Sequence, residues 1–84
     1  MRIIFAPEAW EDYLYWQETE KQVVRRIHLL IKDAIRSPFS GIGKPEPLRY
    51  ALSGFWSRRI TGEHRMVYKV EAGGLLIAQL RYHY

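Results

Sequence analysis

Apolar side chains recur every three to four positions between Trp10 and Ile35, and from Leu48 onward they crowd into short runs separated by glycine-bearing turns. The first spacing predicts helices and the second predicts strands. Before both lies Arg2-Ile3-Ile4-Phe5, a short β-rich run. Pro7 follows, and its fixed φ suits the first turn of a helix. Glu8, Glu11 and Asp12 then bring acid to the positive end of that helix, while Trp10, Tyr13, Leu14 and Gln17 share a face, so a helix is predicted over 7–18. Thr19-Glu20-Lys21-Gln22 has the form in which a cap and the third residue beyond it satisfy each other's backbone donors. A second, strongly amphipathic helix is predicted from there, carrying Val23, Val24, Ile27, Leu30, Ile31, Ala34 and Ile35 inward. Pro38 ends it, because the residue before a proline is pushed out of the α region.

Residues 37–47 hold three prolines and two glycines. They predict a loop longer than the ~4–6 residues usual in compact domains, and such loops are most often functional. Prolines on both sides of Glu46 hold its backbone extended. Strands are predicted around 48–51, 55–60, 64–70 and 75–84, with turns at Ser53-Gly54, Thr61-Gly62 and Ala72-Gly73-Gly74. The order is therefore β-α-α-β-β-β-β. It implies one α+β domain over residues 1–84, with two N-terminal helices packed on one face of an antiparallel sheet.

The chain has 84 residues and no cysteine, which excludes a disulfide frame and a thiolate zinc site and fits a reducing cytoplasm. No stretch approaches the ~20 apolar residues of a membrane span, and the apolar start is too short for a signal peptide. Three histidines lack the spacing of a zinc site, so no metal or other cofactor is expected. Residues 1–42 balance six basic against six acidic side chains, so the whole net charge of +4 falls in residues 43–84. That asymmetry points to an anionic partner, most often nucleic acid, with a solvated basic surface as the plainer alternative.

Metal-independent RNA cleavage needs a base for the 2′-hydroxyl, an acid for the departing 5′-oxygen and cations for the phosphorane. Glu46 is a candidate base and His83 a candidate acid. Arg65, with Arg49, Arg59 and Lys44, supplies candidate phosphate partners. The last hairpin sets Arg65 opposite Leu80 or Tyr82, on the face of Tyr82 and Tyr84. His83 then points the other way, and only a bulge, a strand-end twist or a longer turn unites it with Arg65. The arginines among strand residues 56–67 also fit an ordinary half-exposed strand. His28 and His64 read as polar-side residues without a role. A purely RNA- or protein-binding domain would need the arginines but no acid–base pair.

Five blocks, taken in order, carry a resemblance: Trp10-Glu11-Asp12-Tyr13-Leu14-Tyr15-Trp16-Gln17; Lys44-Pro45-Glu46-Pro47-Leu48; Leu52-Ser53-Gly54-Phe55-Trp56-Ser57-Arg58-Arg59-Ile60; Glu63-His64-Arg65 with Val67-Tyr68; and Arg81-Tyr82-His83-Tyr84. The chain resembles the YoeB toxins, a branch of the RelE/ParE superfamily of bacterial toxin–antitoxin systems, along its whole length. The resemblance implies a RelE-like, microbial-RNase-like fold and an endoribonuclease that cuts mRNA in the ribosomal A site. It implies Glu46 as general base, His83 as general acid, Arg65 as charge stabiliser and Tyr84 as an orienting residue, with Arg49 and Arg59 on phosphate. Many relatives carry lysine where this chain has Arg49, which keeps the charge but changes its shape. A cognate antitoxin and a toxin homodimer are implied as partners, alongside the ribosome and mRNA. Some superfamily members instead poison DNA gyrase. Tyr15 and Trp16, off the Trp10–Leu14 face, are expected to offer a partner surface, with packing against the sheet's edge as the plainer alternative.

Overall fold

The computed structural model describes residues 1–82, so His83 and Tyr84 lie outside the described residues. In chain order it contains β1 (Arg2–Phe5), α1 (Pro7–Thr19), α2 (Lys21–Arg36), β2 (Glu46–Pro47), β3 (Trp56–Arg59), β4 (Arg65–Glu71) and β5 (Gly74–Gln79). The five strands form one sheet in the order β1-β5-β4-β3-β2. The α+β architecture is the expected one, but β1 runs parallel to β5 and the sheet is mixed. Tight turns oblige β2 to β5 to reverse direction at each step. No turn joins β1 to β5, and so no local signal constrains their relative direction. No described helix is long and apolar enough to cross a membrane.

Helix α2 buries Val23, Val24, Ile27, Leu30, Ile31 and Ala34 against the sheet. Burial of each large aliphatic side chain contributes about 1.5–3 kcal/mol. The expected capping box does not form. Thr19 is still helical, and its Oγ1 donates to the Tyr15 carbonyl one turn back. Glu20 alone separates the helices, in extended conformation and without a side-chain cap. Helix α1 buries Ala9 and Trp16, whereas Trp10 and Tyr15 stay partly exposed. Trp16 is therefore no partner surface: its indole N–H donates to the Leu80 carbonyl at 2.9 Å and fastens α1 to the end of the last strand.

Two strand boundaries differ from expectation. Residues 48–51 are not a strand; Glu46–Pro47 is, and the chain then tightens into a 3₁₀ turn at Tyr50–Leu52 with Tyr50 at φ +57°. Backbone bonds from Leu52 to Arg49, Ser53 to Tyr50 and Phe55 to Leu52 fold this turn. Strand β5 stops at Gln79 rather than reaching the terminus. One β-bulge interrupts its pairing with β4, where Tyr68 faces Ile77 but Val67 faces Gln79.

Arg58 on β3 is fully buried, contrary to its reading as a half-exposed strand residue. Its side chain enters the cup formed by the proline-rich loop. Nε donates to the Tyr68 hydroxyl (3.0 Å), Nη1 to Asp33 Oδ2 (2.7 Å) and the Ile42 carbonyl (3.1 Å), and Nη2 to the carbonyls of Ser37 (2.6 Å) and Ser40 (2.8 Å). These five bonds use all five guanidinium donors. The Tyr68 hydroxyl donates onward to the Pro38 carbonyl. Gly43 closes the cup at φ +80°, where a Cβ would meet Leu30 and Arg58, and its carbonyl accepts from the Arg59 amide at 2.7 Å.

Removing a partner of a buried ion pair costs about 3–5 kcal/mol, and each kcal/mol shifts the melting temperature of a domain this size by roughly 4–8 °C. Arg58→Met is therefore expected to lower Tm by at least about 10 °C in a calorimetric scan. An unchanged Tm refutes the network's importance. The Arg58 hydrogen bond, followed by the Ile42 amide, holds the Asp33 carboxyl below its ordinary value of 3.8. A depressed carboxyl stabilises the fold above that value and loses the contribution as pH falls through its folded pKa. Asp33→Asn should thus lie below the parent in Tm near neutrality, with the gap narrowing once the pH drops under 3.8.

Candidate functional site

Side-chain alternation divides the sheet. Arg58, Ile60, Met66, Tyr68, Leu75 and Ile77 are buried on the helix side. Ser57, Arg59, Arg65, Val67 and Lys69 point to the other side. Glu46 pairs with Ser57, Ser57 with Val67, and Arg59 with Arg65, so one face of β2, β3 and β4 collects a carboxylate and two guanidiniums. Arg65 Nη1 lies 3.4 Å from Glu46 Oε1 and 3.4 Å from Ser57 Oγ. Both contacts are long for hydrogen bonds, which suits groups that reposition around a ligand. Arg65 is mostly buried and Glu46 half exposed, at 13% and 54% of their side chains. The cation is therefore the fixed member of the pair.

Of the sequence-predicted residues, the structure brings Glu46, Arg59 and Arg65 together. Lys44 is exposed just before β2 at φ +52°, and Arg49 is exposed at the start of the 3₁₀ turn. They give the loop approach to Glu46 a positive rim. His83 and Tyr84 are not among the described residues, but the segment leading into them is.

The bulge shifts the β4–β5 pairing by one residue, which is the circumstance that alters the parity set by an unbroken hairpin. Past Gln79 the chain leaves the strand and is gripped residue by residue. Leu80 donates its amide to Asp12 Oδ2 (3.0 Å) and accepts the Trp16 indole N–H. The Arg81 carbonyl accepts from Gln79 Nε2 (2.8 Å). Tyr82 donates its amide to His64 Nδ1 (2.7 Å) and accepts the Arg65 backbone amide (3.1 Å). The Arg81 guanidinium also stacks 3.6 Å from the Tyr15 ring centroid. Burial pushes the Asp12 carboxyl above its ordinary range, with the Leu80 amide offsetting part of that rise.

From the sequence Asp12 reads as an acid at the start of the first helix and His64 as a polar-side residue without a role, and Gln79 is given none. An Asx or imidazole acceptor for a distant backbone amide leaves no local pattern, and only the order of strands brings residue 64 to residue 82. His28, likewise given no role, bonds the Tyr13 hydroxyl through Nε2 at 2.8 Å.

Residues 5–84 match a family described as the YoeB-like toxin of bacterial type II toxin–antitoxin systems. Toxin YoeB of Escherichia coli K12 is 63% identical over 84 residues, covering all of both chains. A YoeB/ParE toxin structure from Agrobacterium tumefaciens superposes with a TM-score of 0.98 at 46% identity, again over all of both chains. YoeB of Staphylococcus aureus, solved as a dimer (TM-score 0.94) and in complex with YefM (0.92), is 46% identical over all of this chain and 98% of its own.

If Trp16 fastens the chain end as described, Trp16→Phe keeps the packing but orphans the Leu80 carbonyl. It should cost about 1–3 kcal/mol. Amide exchange at residues 80–82 should rise more than at Ile77; equal changes at both places contradict the assignment.

Proposed function

The chain belongs to the YoeB-like toxins of bacterial type II toxin–antitoxin systems, and from that membership we propose that it is a metal-independent endoribonuclease that cleaves mRNA in the ribosomal A site and so stops translation. The observation that carries the reading is the Glu46 carboxylate beside the Arg65 guanidinium, with Arg59 adjacent, on the sheet face opposite the Arg58 side. A binding module has use for the two cations but none for a carboxylate set among them, since it would repel phosphate.

In this mechanism Glu46 takes the proton of the 2′-hydroxyl, whose oxygen attacks the adjacent phosphorus. Arg65 stabilises the charge that gathers on the phosphorane oxygens. The bond to the 5′-oxygen breaks as His83 hands it a proton, leaving a 2′,3′-cyclic phosphate and a free 5′-hydroxyl. Tyr84 orients the acid or the substrate. Arg59, Arg49 and Lys44 hold flanking phosphates along the rim that leads to Glu46. The toxin works in the cytoplasm, where mRNA and ribosomes are, and it pairs with a second copy of itself and with an antitoxin that silences it. The dimer and YefM complex of the Staphylococcus aureus relative support those two partners.

The test is a translation extract in which mRNA ends are mapped. Removing a general acid or base costs ~10²–10⁴-fold in rate, so Glu46→Ala and His83→Ala should each lower cleavage by that much. Arg25→Ala, on α2 and away from this face, should change little. Wild-type cleavage surviving both substitutions would refute the chemistry.

A further inference from the structure

The geometry points to His64 as a positioning residue: its Nδ1 accepts the amide of Tyr82, the residue before His83, and so fixes the backbone there. This inference rests on the nuclease reading above for its catalytic consequence, though the grip itself is visible without it.

The imidazole and its backbone are held by several neighbours. Its own backbone belongs to a closed turn, in which the His64 amide donates to Thr61 Oγ1 (3.1 Å) and the His64 carbonyl accepts from the amides of Ile60 (2.9 Å) and Thr61 (3.2 Å). The ring meets the Trp16 indole edge-on with centroids 4.8 Å apart, and Trp16 is itself pinned to Leu80. On the far side it lies 5.4 Å from the Tyr82 ring. A backbone amide can only donate, so Nδ1 is the bare nitrogen and the ring proton sits on Nε2, 3.9 Å from Glu63 Oε1. The tautomer is thus dictated by the bond to Tyr82.

Tyr82 needs such a hold. It sits at φ +62°, a left-handed conformation that costs a side-chain-bearing residue roughly 1–2 kcal/mol. Strain of this kind persists only where the surroundings over-determine it. Here both backbone polar atoms are engaged, the amide by His64 and the carbonyl by the Arg65 amide. His64 and Arg65 are consecutive, so the residue that grips the chain end adjoins the one that faces Glu46. The Tyr82 backbone, one residue before the proposed acid in sequence, is therefore held by residues of and beside the candidate site.

The experiment separates hydrogen bonding from packing in the full chain. An asparagine Oδ1 can take the place of Nδ1, whereas phenylalanine keeps the ring against Trp16 and offers no acceptor. Two readouts are used: hydrogen exchange of the Tyr82 amide relative to Ile77, and kcat and KM for mRNA cleavage in the translation extract. His64→Phe should speed Tyr82 exchange selectively and lower kcat about tenfold with KM little changed, as expected for loss of one hydrogen bond's worth of ordering. His64→Asn should restore both. In a His83→Ala background, His64→Phe should cost nothing further. Should the phenylalanine variant unfold, His64→Gln, whose Oε1 falls where Nε2 was, takes its place and must behave as the acceptor-less form. The inference is overturned if Tyr82 exchange is unchanged without the acceptor, if asparagine fails to rescue, or if the losses add to that of His83→Ala. If the wild type cleaves no RNA, the nuclease reading fails, and Tyr82 exchange still decides whether His64 holds the chain end.

Discussion

A single buried charge organises this molecule. The Arg58 guanidinium leaves water entirely, which is among the most expensive things a fold can do with a side chain, and recovers the loss through five hydrogen bonds. In isolation such a charge is often replaceable by a hydrophobic residue of similar size. Here three of its acceptors are main-chain carbonyls of the loop at residues 37–42, and a hydrocarbon would leave them facing the interior without donors. The loop's large apolar side chains, Phe39 and Ile42, stay 55% and 40% exposed and bury little to hold it. It is ordered because it wraps a cation, and Asp33 supplies the counter-charge from α2 while also capturing the Ile42 amide.

The consequence is carried along the chain to the opposite face of the sheet. Gly43 passes against Arg58 and pairs with the Arg59 amide, and three residues later the chain enters β2 with Glu46 beside Ser57. Arg58 and its neighbours thus split the work by parity: the even residue packs on the helix side, while Ser57 and Arg59 belong to the opposite face with Arg65. Stability and candidate chemistry share one strand without competing for the same side chains.

Much of this was legible from residue pattern. The period of three to four found both helices, Pro7 and Pro38 bounded them, and the glycine-bearing turns located β3, β4 and β5. Glu46 and Arg65 were recognisable by charge and by their setting in blocks typical of the family. What escaped has a common cause. Arg58 looks like any strand arginine because burial depends on the loop that folds over it; the 3₁₀ turn at Tyr50–Leu52 depends on closure by Phe55; and Thr19 answers to the Tyr15 carbonyl rather than to the next helix. Each outcome is decided by a partner that local periodicity does not encode. The bulge at Val67/Tyr68 belongs to the same class, and without it a strict two-residue alternation governs the end of the chain.

The end of the chain can be weighed in the same terms. Ordering Leu80, Arg81 and Tyr82 costs about 1–2 kcal/mol of backbone entropy each, hence about 3–6 kcal/mol in all. Against it stand five hydrogen bonds, from Asp12, Trp16, Gln79, His64 and Arg65, at about 1 kcal/mol apiece, and the Arg81–Tyr15 stack at about 0.5–2 kcal/mol. Burial of the Leu80 side chain adds about 1.5–3 kcal/mol, so the hold exceeds the cost by a few kcal/mol. The margin is small enough that losing a few contacts would release the segment, and the contacts come from four elements: α1, the turn before β4, β4 itself and β5. The hold on residues 80–82 therefore depends on the assembly of the whole fold.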